Sequence, residues 1–103
     1  MAVWSKVATI EEIPLLGSRV VKTNDGDIAL FRTAAGEVFA LHDQCPHKGG
    51  PLSQGIVHDK KVTCPLHGWN ISLEDGLAVA PDSGCARTIP CKLEQGAVLL
   101  QVI

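Results

Sequence analysis

Two short stretches decide the fold that this sequence predicts: Cys45-Pro46-His47-Lys48-Gly49-Gly50 and Cys64-Pro65-Leu66-His67-Gly68. The first has the pattern C-x-H, the second has C-x-x-H, and sixteen residues separate His47 from Cys64. The chain of 103 residues has four cysteines and four histidines, and two of each lie in these stretches. Their prolines and glycines predict sharply turning loops. Thiolate and imidazole are common metal ligands, so the sequence predicts a metal centre held by two loops.

Three interpretations of these four side chains are open. Chance clustering of core cysteines and surface histidines would require both pairs to be accidental. A structural zinc site also uses two cysteines and two histidines, but zinc motifs space paired ligands by two or more residues, and Cys45 and His47 are closer than that. A [2Fe–2S] centre with two cysteines on one iron and two histidines on the other accommodates the close pair, because one loop can supply a ligand to each iron.

The two motifs resemble the Rieske iron–sulfur family, whose signature is C-x-H followed at this distance by C-x-x-H. The resemblance implies one [2Fe–2S] cluster per chain, with Cys45 and Cys64 on the inner iron and His47 and His67 on the outer, solvent-facing iron. It implies an all-β Rieske fold of small antiparallel sheets with a cluster-binding subdomain of two loops. We expect a single domain over residues 1–103, with that subdomain at approximately 43–82 and no catalytic residue.

The remaining sequence predicts short strands rather than helices. Glycine-containing turns interrupt short apolar or β-branched runs throughout the chain, which is typical of hairpins. One turn of helix is expected over Thr9–Ile13, ended by Pro14. The expected strands are a meander over 19–23, 28–33 and 38–41, a second sheet over 61–63 and 69–73, and a pair formed by 87–89 and 97–103 across the turn at 94–96.

Composition limits the class of function. With 46% hydrophobic and 19% charged residues, the chain is an ordinary globular sequence. Its net charge of −2 gives no electrostatic signature for nucleic acid or an anionic membrane. Apolar runs such as Ala97–Leu100 are far shorter than the roughly 20 residues of a membrane-spanning helix. Residues 1–6 lack the features of a secretory signal, so we expect a cytoplasmic protein, in which cysteines serve as ligands more often than as disulfides.

Residues near the motifs indicate a low reduction potential. High-potential Rieske proteins of respiratory complexes carry an additional cysteine in each loop, joined as a disulfide, and Gly50 and Leu66 stand at those places here. Those proteins also supply hydroxyl hydrogen bonds from a serine and a tyrosine, whereas this chain has Trp69 after the second motif and no tyrosine. Fewer hydrogen bonds to sulfur stabilise the reduced state less, which predicts a ferredoxin-type potential.

The sequence also predicts roles for other residues, most of them near the two motifs. Leu66 and Pro46 are expected to shield the cluster from water, and the segment Ala80–Gly84 resembles a proline-containing loop that covers the cluster in the family. Lys48 is expected to be solvated. Two histidines outside the motifs are expected at the surface or at strand ends, and two further cysteines are expected to be small buried hydrophobes: His42, His58, Cys85 and Cys91.

Segments beyond the ligands resemble the small subunits of assimilatory NAD(P)H-dependent nitrite reductases. They are Ala29–Arg32, Cys45–Val57, Cys64–Ile71, Leu73–Gly76 and Pro81–Cys85. The resemblance implies a large partner subunit that carries FAD, a [4Fe–4S] cluster and sirohaem, and that reduces nitrite to ammonium. This chain would then be an electron-transfer subunit and not a complete enzyme. Some members of that family lack the ligands, whereas this chain has all four.

Two alternatives stay open at this point. One is a free Rieske-type ferredoxin that takes electrons from a flavoprotein reductase and delivers them to an aromatic-ring-hydroxylating dioxygenase. The other is a purely structural subunit whose cluster lies off the electron path. The sequence offers no nucleotide fingerprint and no second metal motif, so each of these functions requires partner proteins.

Overall fold

The computed structural model describes residues 3–23, 26–45, 50–66, 68–79 and 84–102. These residues contain ten short strands and two 3-10 turns. The turns are Ile10–Glu12 and Leu52–Gln54. The strands are β1 (Val3–Thr9), β2 (Ser18–Thr23), β3 (Gly26–Arg32), β4 (Val38–His42), β5 (Ile56–His58), β6 (Lys61–Thr63), β7 (Asn70–Ser72), β8 (Thr88–Ile89), β9 (Cys91–Glu94) and β10 (Ala97–Val102).

The strands form three small antiparallel sheets. The outer sheet has the order β1-β10-β9, the central sheet β2-β3-β4-β8, and the loop sheet β5-β6-β7. The predicted meander is confirmed as β2-β3-β4, and the predicted second sheet is confirmed by the pairing of β6 with β7. No helical segment in the described ranges has the length and hydropathy of a membrane span. The all-β fold expected from the sequence is therefore confirmed.

The middle of the central sheet, above all β3, is buried on both faces. Along β3, Ala29 and Phe31 pack into a core shared with the loop sheet, whereas Ile28 and Leu30 pack into a core shared with the outer sheet. Successive side chains of a strand point to opposite faces, so an unbroken apolar run is what a strand between two layers requires. Full burial of the Phe31 side chain stabilises this arrangement by about 2 to 3 kcal/mol.

The pairing near the end of the chain differs from the predicted pairing of 87–89 with 97–103. Instead, β8 pairs with β4, and β9 pairs with β10. Gln95 and Gly96 have φ values of 49° and 81°, the conformation of a tight two-residue hairpin turn that joins the strands directly beside it. Pro90 separates β8 from β9 and provides no N–H for a ladder. The turn thus assigns β9 to β10 and leaves β8 to the central sheet.

Besides β9, two strands were not predicted, β1 and β5, and both are irregular or short. β1 contains a register shift between Lys6 and Ala8, which breaks the alternation that would have marked it as a strand. β5 has only three residues. The helical turn expected after Thr9 is confirmed, and the Glu12 carboxylate accepts hydrogen bonds from the Thr9 N–H at 2.8 Å and from its hydroxyl at 3.2 Å. These bonds hold the pKa of Glu12 below its usual value.

Candidate metal centre

The two motif stretches form loops that close in the same way. The first loop, Cys45–Gly50, follows β4, and the second loop, Cys64–Trp69, joins β6 to β7. In each loop the N–H of the leading cysteine donates to the carbonyl oxygen of the last residue, and both distances are 2.7 Å. Such a bond holds the first and last residues of each loop together. The folded chain therefore presents two similar loops, each headed by a cysteine.

The two loops lie in direct contact. A Cβ added to Gly50 would lie 2.7 Å from Leu66 Cδ1 and 3.3 Å from Cys64 Sγ, so the glycine allows the loops to approach this closely. Gly50 and Leu66 are also the places where the high-potential proteins have a disulfide, and here none of the four cysteines forms one. The contact between the loops is thus made by packing and not by a disulfide.

Both leading cysteines are buried, in keeping with the predicted role as ligands. Cys45 is 3% exposed and Cys64 is 1% exposed, and they belong to one hydrophobic core with Leu52, Val62 and Ile71. Two buried thiols in adjacent loops fit an iron–sulfur cluster, because soft thiolate ligands select such centres and an apolar wall limits access of water.

The two predicted histidine ligands, His47 and His67, lie outside the described residues, so the four-residue ligand set remains a prediction. Pro46, Lys48 and residues 80–83 also lie outside them. Leu66, predicted to shield the cluster, is 53% exposed although its side chain borders Gly50. The second loop therefore extends from the buried core to the surface.

Polar side chains at the base of each loop were not singled out from the sequence. Beside the first loop, Asp43 Oδ1 accepts a hydrogen bond from the Ser53 N–H at 2.7 Å, and its Oδ2 accepts one from the Ser53 hydroxyl at 2.8 Å. Beside the second loop, the Thr63 hydroxyl donates to Asn70 Oδ1 at 2.6 Å. These partners are separated in sequence by 10 and 7 residues, respectively, so no local pattern indicated them.

A third segment lies against the loop sheet. The Ala78 N–H donates to the Gly84 carbonyl at 2.9 Å, the Ala86 N–H donates to the Gly76 carbonyl at 2.7 Å, and Leu77 pairs with Cys85. Both described flanks of the proline-containing segment are therefore anchored beside β7. The expectation that this segment covers the cluster concerns residues 80–83 and lies outside the described part of the chain.

For the histidines and cysteines outside the motifs, some expected positions are confirmed and one is wrong. His42 and His58 are the last residues of β4 and β5, as expected for strand-end histidines. Cys91 is half-buried and packs against the core of the outer sheet. Cys85, however, is exposed, so the expectation that it is a buried hydrophobe is wrong. It lies in a bridge at the rim of the loop sheet, where no further layer covers it in the described structure.

The two non-ligand thiols are expected to differ sharply in reactivity. In the chain with its cluster at pH 8, Ellman's reagent should titrate one thiol, that of Cys85. Burial raises the pKa of Cys91 from 9.0 to about 11, which leaves about one molecule in a thousand as the reactive thiolate at this pH. Cys85→Ser should therefore show no fast-reacting thiol. A fast-reacting thiol that persists in Cys85→Ser would contradict the burial of Cys91.

Three small antiparallel sheets and two contacting, cysteine-led loops define a small β-sheet iron–sulfur domain. The model of the Rieske [2Fe-2S] domain family matches residues 3–91. The 3-phenylpropionate/cinnamic acid dioxygenase ferredoxin subunit of Photorhabdus laumondii is 37% identical over 98 residues, which cover 93% of this chain and 91% of that protein. This chain belongs to the Rieske [2Fe–2S] domain family.

Two further proteins resemble this chain, one in the sequence of a short segment and one in its fold. The 4beta-methylsterol monooxygenase of Methylococcus capsulatus is 58% identical over 43 residues, which are 42% of this chain and only 12% of that protein. A solved structure from Mycobacterium tuberculosis, assigned as an NADH-dependent nitrite reductase small subunit, superposes with a TM-score of 0.87 at 24% identity. That superposition covers 100% of this chain and 97% of the other, and it confirms the Rieske fold. The cofactor is a Rieske-type [2Fe–2S] cluster, and the chain is an electron-transfer protein.

Proposed function

We propose that this chain is the small subunit of an assimilatory NAD(P)H-dependent nitrite reductase and transfers electrons within that complex. The observation that carries the proposal is the sequence beyond the ligands. Three of the resembling segments, Cys45–Val57, Cys64–Ile71 and Pro81–Cys85, are separate in the chain. Residues of the first two segments nevertheless pack in one core beside the two loops, namely Cys45, Leu52, Val57, Cys64 and Ile71. The superposition on a structure of matching length is compatible with this proposal.

The chain's own residues would provide a protected and accessible site. We assign Cys45, Cys64, His47 and His67 as the ligands, within a cluster-binding subdomain at approximately 43–82. The bound cluster supplies one-electron transfer. The buried core around Cys45 and Cys64 limits access of water on one side, while the exposed Leu66 places the second loop at the surface. A partner protein can therefore approach the second loop without disturbing the core. The low reduction potential expected from the sequence remains a prediction.

A second candidate function is supported by a specific observation. The Photorhabdus laumondii relative is a dioxygenase ferredoxin subunit, and its 37% identity extends over nearly the whole of both chains. If this chain has the same role, a flavoprotein reductase would reduce it, and an oxygenase would accept its electron. The two functions share the cluster and differ in partners, so the partners must be identified directly.

Purification of the tagged chain from its native host grown on nitrate distinguishes the two functions. We expect a co-purifying large subunit with sirohaem absorbance and nitrite reduction that depends on NADH or NADPH. A Rieske protein that purifies alone and is reduced by a flavoprotein reductase would contradict the proposal and support the ferredoxin role. His67→Ser, purified in the same way, tests the structural alternative, because full activity of an intact complex would place the cluster outside the electron path.

A further inference from the structure

We propose that side-chain hydrogen bonds at the base of each cluster loop act as braces that position the loops and slow loss of the cluster. The first brace consists of Asp43 and Ser53, and the second of Thr63, Asn70 and His58. The inference rests on the family membership and on Cys45 and Cys64 as ligands. It does not depend on which partner accepts the electron.

The first brace joins the residues that lead into and out of the first loop. Asp43 lies two residues before Cys45, and Ser53 lies three residues after Gly50. Both carboxylate oxygens of Asp43 are used, one by the Ser53 N–H and the other by the Ser53 hydroxyl. The Ser53 carbonyl in turn accepts a hydrogen bond from the Ser18 hydroxyl at 2.5 Å, which connects the brace to β2. Hydrogen bonds to a charged acceptor are the stronger kind, so this brace ties both ends of the loop to the central sheet.

The second brace joins the residues immediately before and after the second loop. Thr63 and Asn70 are partners in the pairing of β6 with β7, and the Thr63 hydroxyl donates to Asn70 Oδ1. A threonine hydroxyl has one hydrogen, so His58 Nε2, 2.7 Å from the same oxygen, must be the donor in that contact. The Asn70 carbonyl also accepts a hydrogen bond from the Val79 N–H at 2.8 Å. Asn70 therefore connects the second loop with the segment that leads into residues 80–83.

The braces act where no disulfide joins the loops. None of the four cysteines forms a disulfide, and the two loops touch through Gly50 and Leu66. Iron leaves a buried site when the surrounding segment opens locally, and such openings have lower free energies than global unfolding. A hydrogen bond made only in the closed loop lowers the population of the open loop. Removal of a brace should therefore accelerate iron release.

The test is the rate at which a large excess of an iron chelator bleaches the visible absorbance of the purified chain with its cluster. We expect Asp43→Ala to accelerate bleaching about ten-fold and Thr63→Val about five-fold. Thr63→Ser keeps the donating hydroxyl, so it should restore the rate to within about two-fold of the wild type. Asp43→Asn keeps one acceptor oxygen but loses the charge and the second acceptor, so its rate should lie between those of the wild type and Asp43→Ala. Ser53→Ala, which loses only the hydroxyl bond, should give about a three-fold acceleration and serves if Asp43→Ala does not fold.

Two matched controls separate the braces from charge and from general destabilisation. Asp27→Ala removes a carboxylate from the residue whose carbonyl accepts the Asp43 N–H, and the Asp27 side chain bonds to no other described residue. Thr88→Val removes a hydroxyl from β8 that has no partner among the described residues. Both controls should bleach at the wild-type rate.

Electron paramagnetic resonance of the reduced chain supplies a readout that general destabilisation would not change. If the braces position the loops, the g-values of Asp43→Ala and Thr63→Val should shift or their lines should broaden, and the g-values of Thr63→Ser should equal those of the wild type. Brace variants that bleach no faster than their controls would overturn the proposal. Faster bleaching with unchanged g-values would overturn the positioning role.

Discussion

Cys64→Ser is expected to leave the purified chain with about a tenth or less of the iron of the wild type. Serine is a poor ligand for iron in place of a soft thiolate, and Cys64 is only 1% exposed, so no alternative ligand or water can readily replace it. The measurement is iron and acid-labile sulfide per chain, together with the visible absorbance of the cluster. The loss should be nearly complete because a missing ligand affects the centre more than any change in its surroundings.

The same substitution at the exposed Cys85 is the control. Cys85→Ser should keep the full iron content and the absorbance of the wild type, because Cys85 lies at the rim of the loop sheet and not in either loop. If Cys64→Ser retained two irons per chain with an unchanged spectrum, Cys64 would not be a ligand. Loss of iron in both variants would mean that thiols outside the motifs contribute to the centre.

The second large effect is expected at Gly76, where Gly76→Ala should lower the free energy of unfolding by about 4 kcal/mol. Gly76 has a φ of 74°, which disfavours any side chain. An added Cβ would also lie 2.0 Å from the Ala86 carbonyl oxygen, and a backbone atom cannot move aside as the end of a side chain can. In a domain of this size, the loss corresponds to a fall in Tm of roughly 15 to 30 °C. Urea unfolding followed by circular dichroism measures it.

Gly36→Ala separates the two causes. Gly36 has a φ of 84°, but an added Cβ there would meet no atom within 4 Å. Gly36→Ala should therefore lower the free energy of unfolding only by the cost of the backbone conformation, about 1 to 2 kcal/mol. If both variants lowered the free energy of unfolding equally, the close approach of the Ala86 carbonyl oxygen to Gly76 would add nothing to the effect of Gly76→Ala. That contact anchors the segment at 84–86 beside the loop sheet, so the iron content of Gly76→Ala should decrease as well.

The loops and the central strands could be predicted because their information is local. A ligand pattern such as Cys45-Pro46-His47 occupies three consecutive residues, and the proline and glycine beside it favour a turn whatever the rest of the chain does. The apolar run Ile28–Phe31 indicates a strand buried on both faces, and β3 has such an environment. Burial of Cys45 and Cys64 agrees with their predicted role. The histidine ligands lie outside the described residues and remain predictions.

The pairing of the last strands was predicted wrongly, because residues 87–89 were expected to be the partner of 97–103 and no strand was expected at 91–94. The turn at Gln95 and Gly96 brings residues 91–94, and not 87–89, beside β10. The burial of Cys85 was predicted wrongly for a related reason. Cysteine is usually a buried residue type, but Cys85 lies at the rim of the loop sheet. In the described structure no other layer covers this rim.

The sequence by itself determined the class of this protein, namely a β-sheet domain with two cysteine- and histidine-bearing loops for a [2Fe–2S] cluster. Only the tertiary structure decided how those loops are held. It places Gly50 against Leu66 and joins Asp43 to Ser53 and Thr63 to Asn70 by side-chain hydrogen bonds. The physical reason is that ligand motifs and turns depend on neighbouring residues, whereas packing and side-chain bonds depend on residues that only the folded sheets bring within reach.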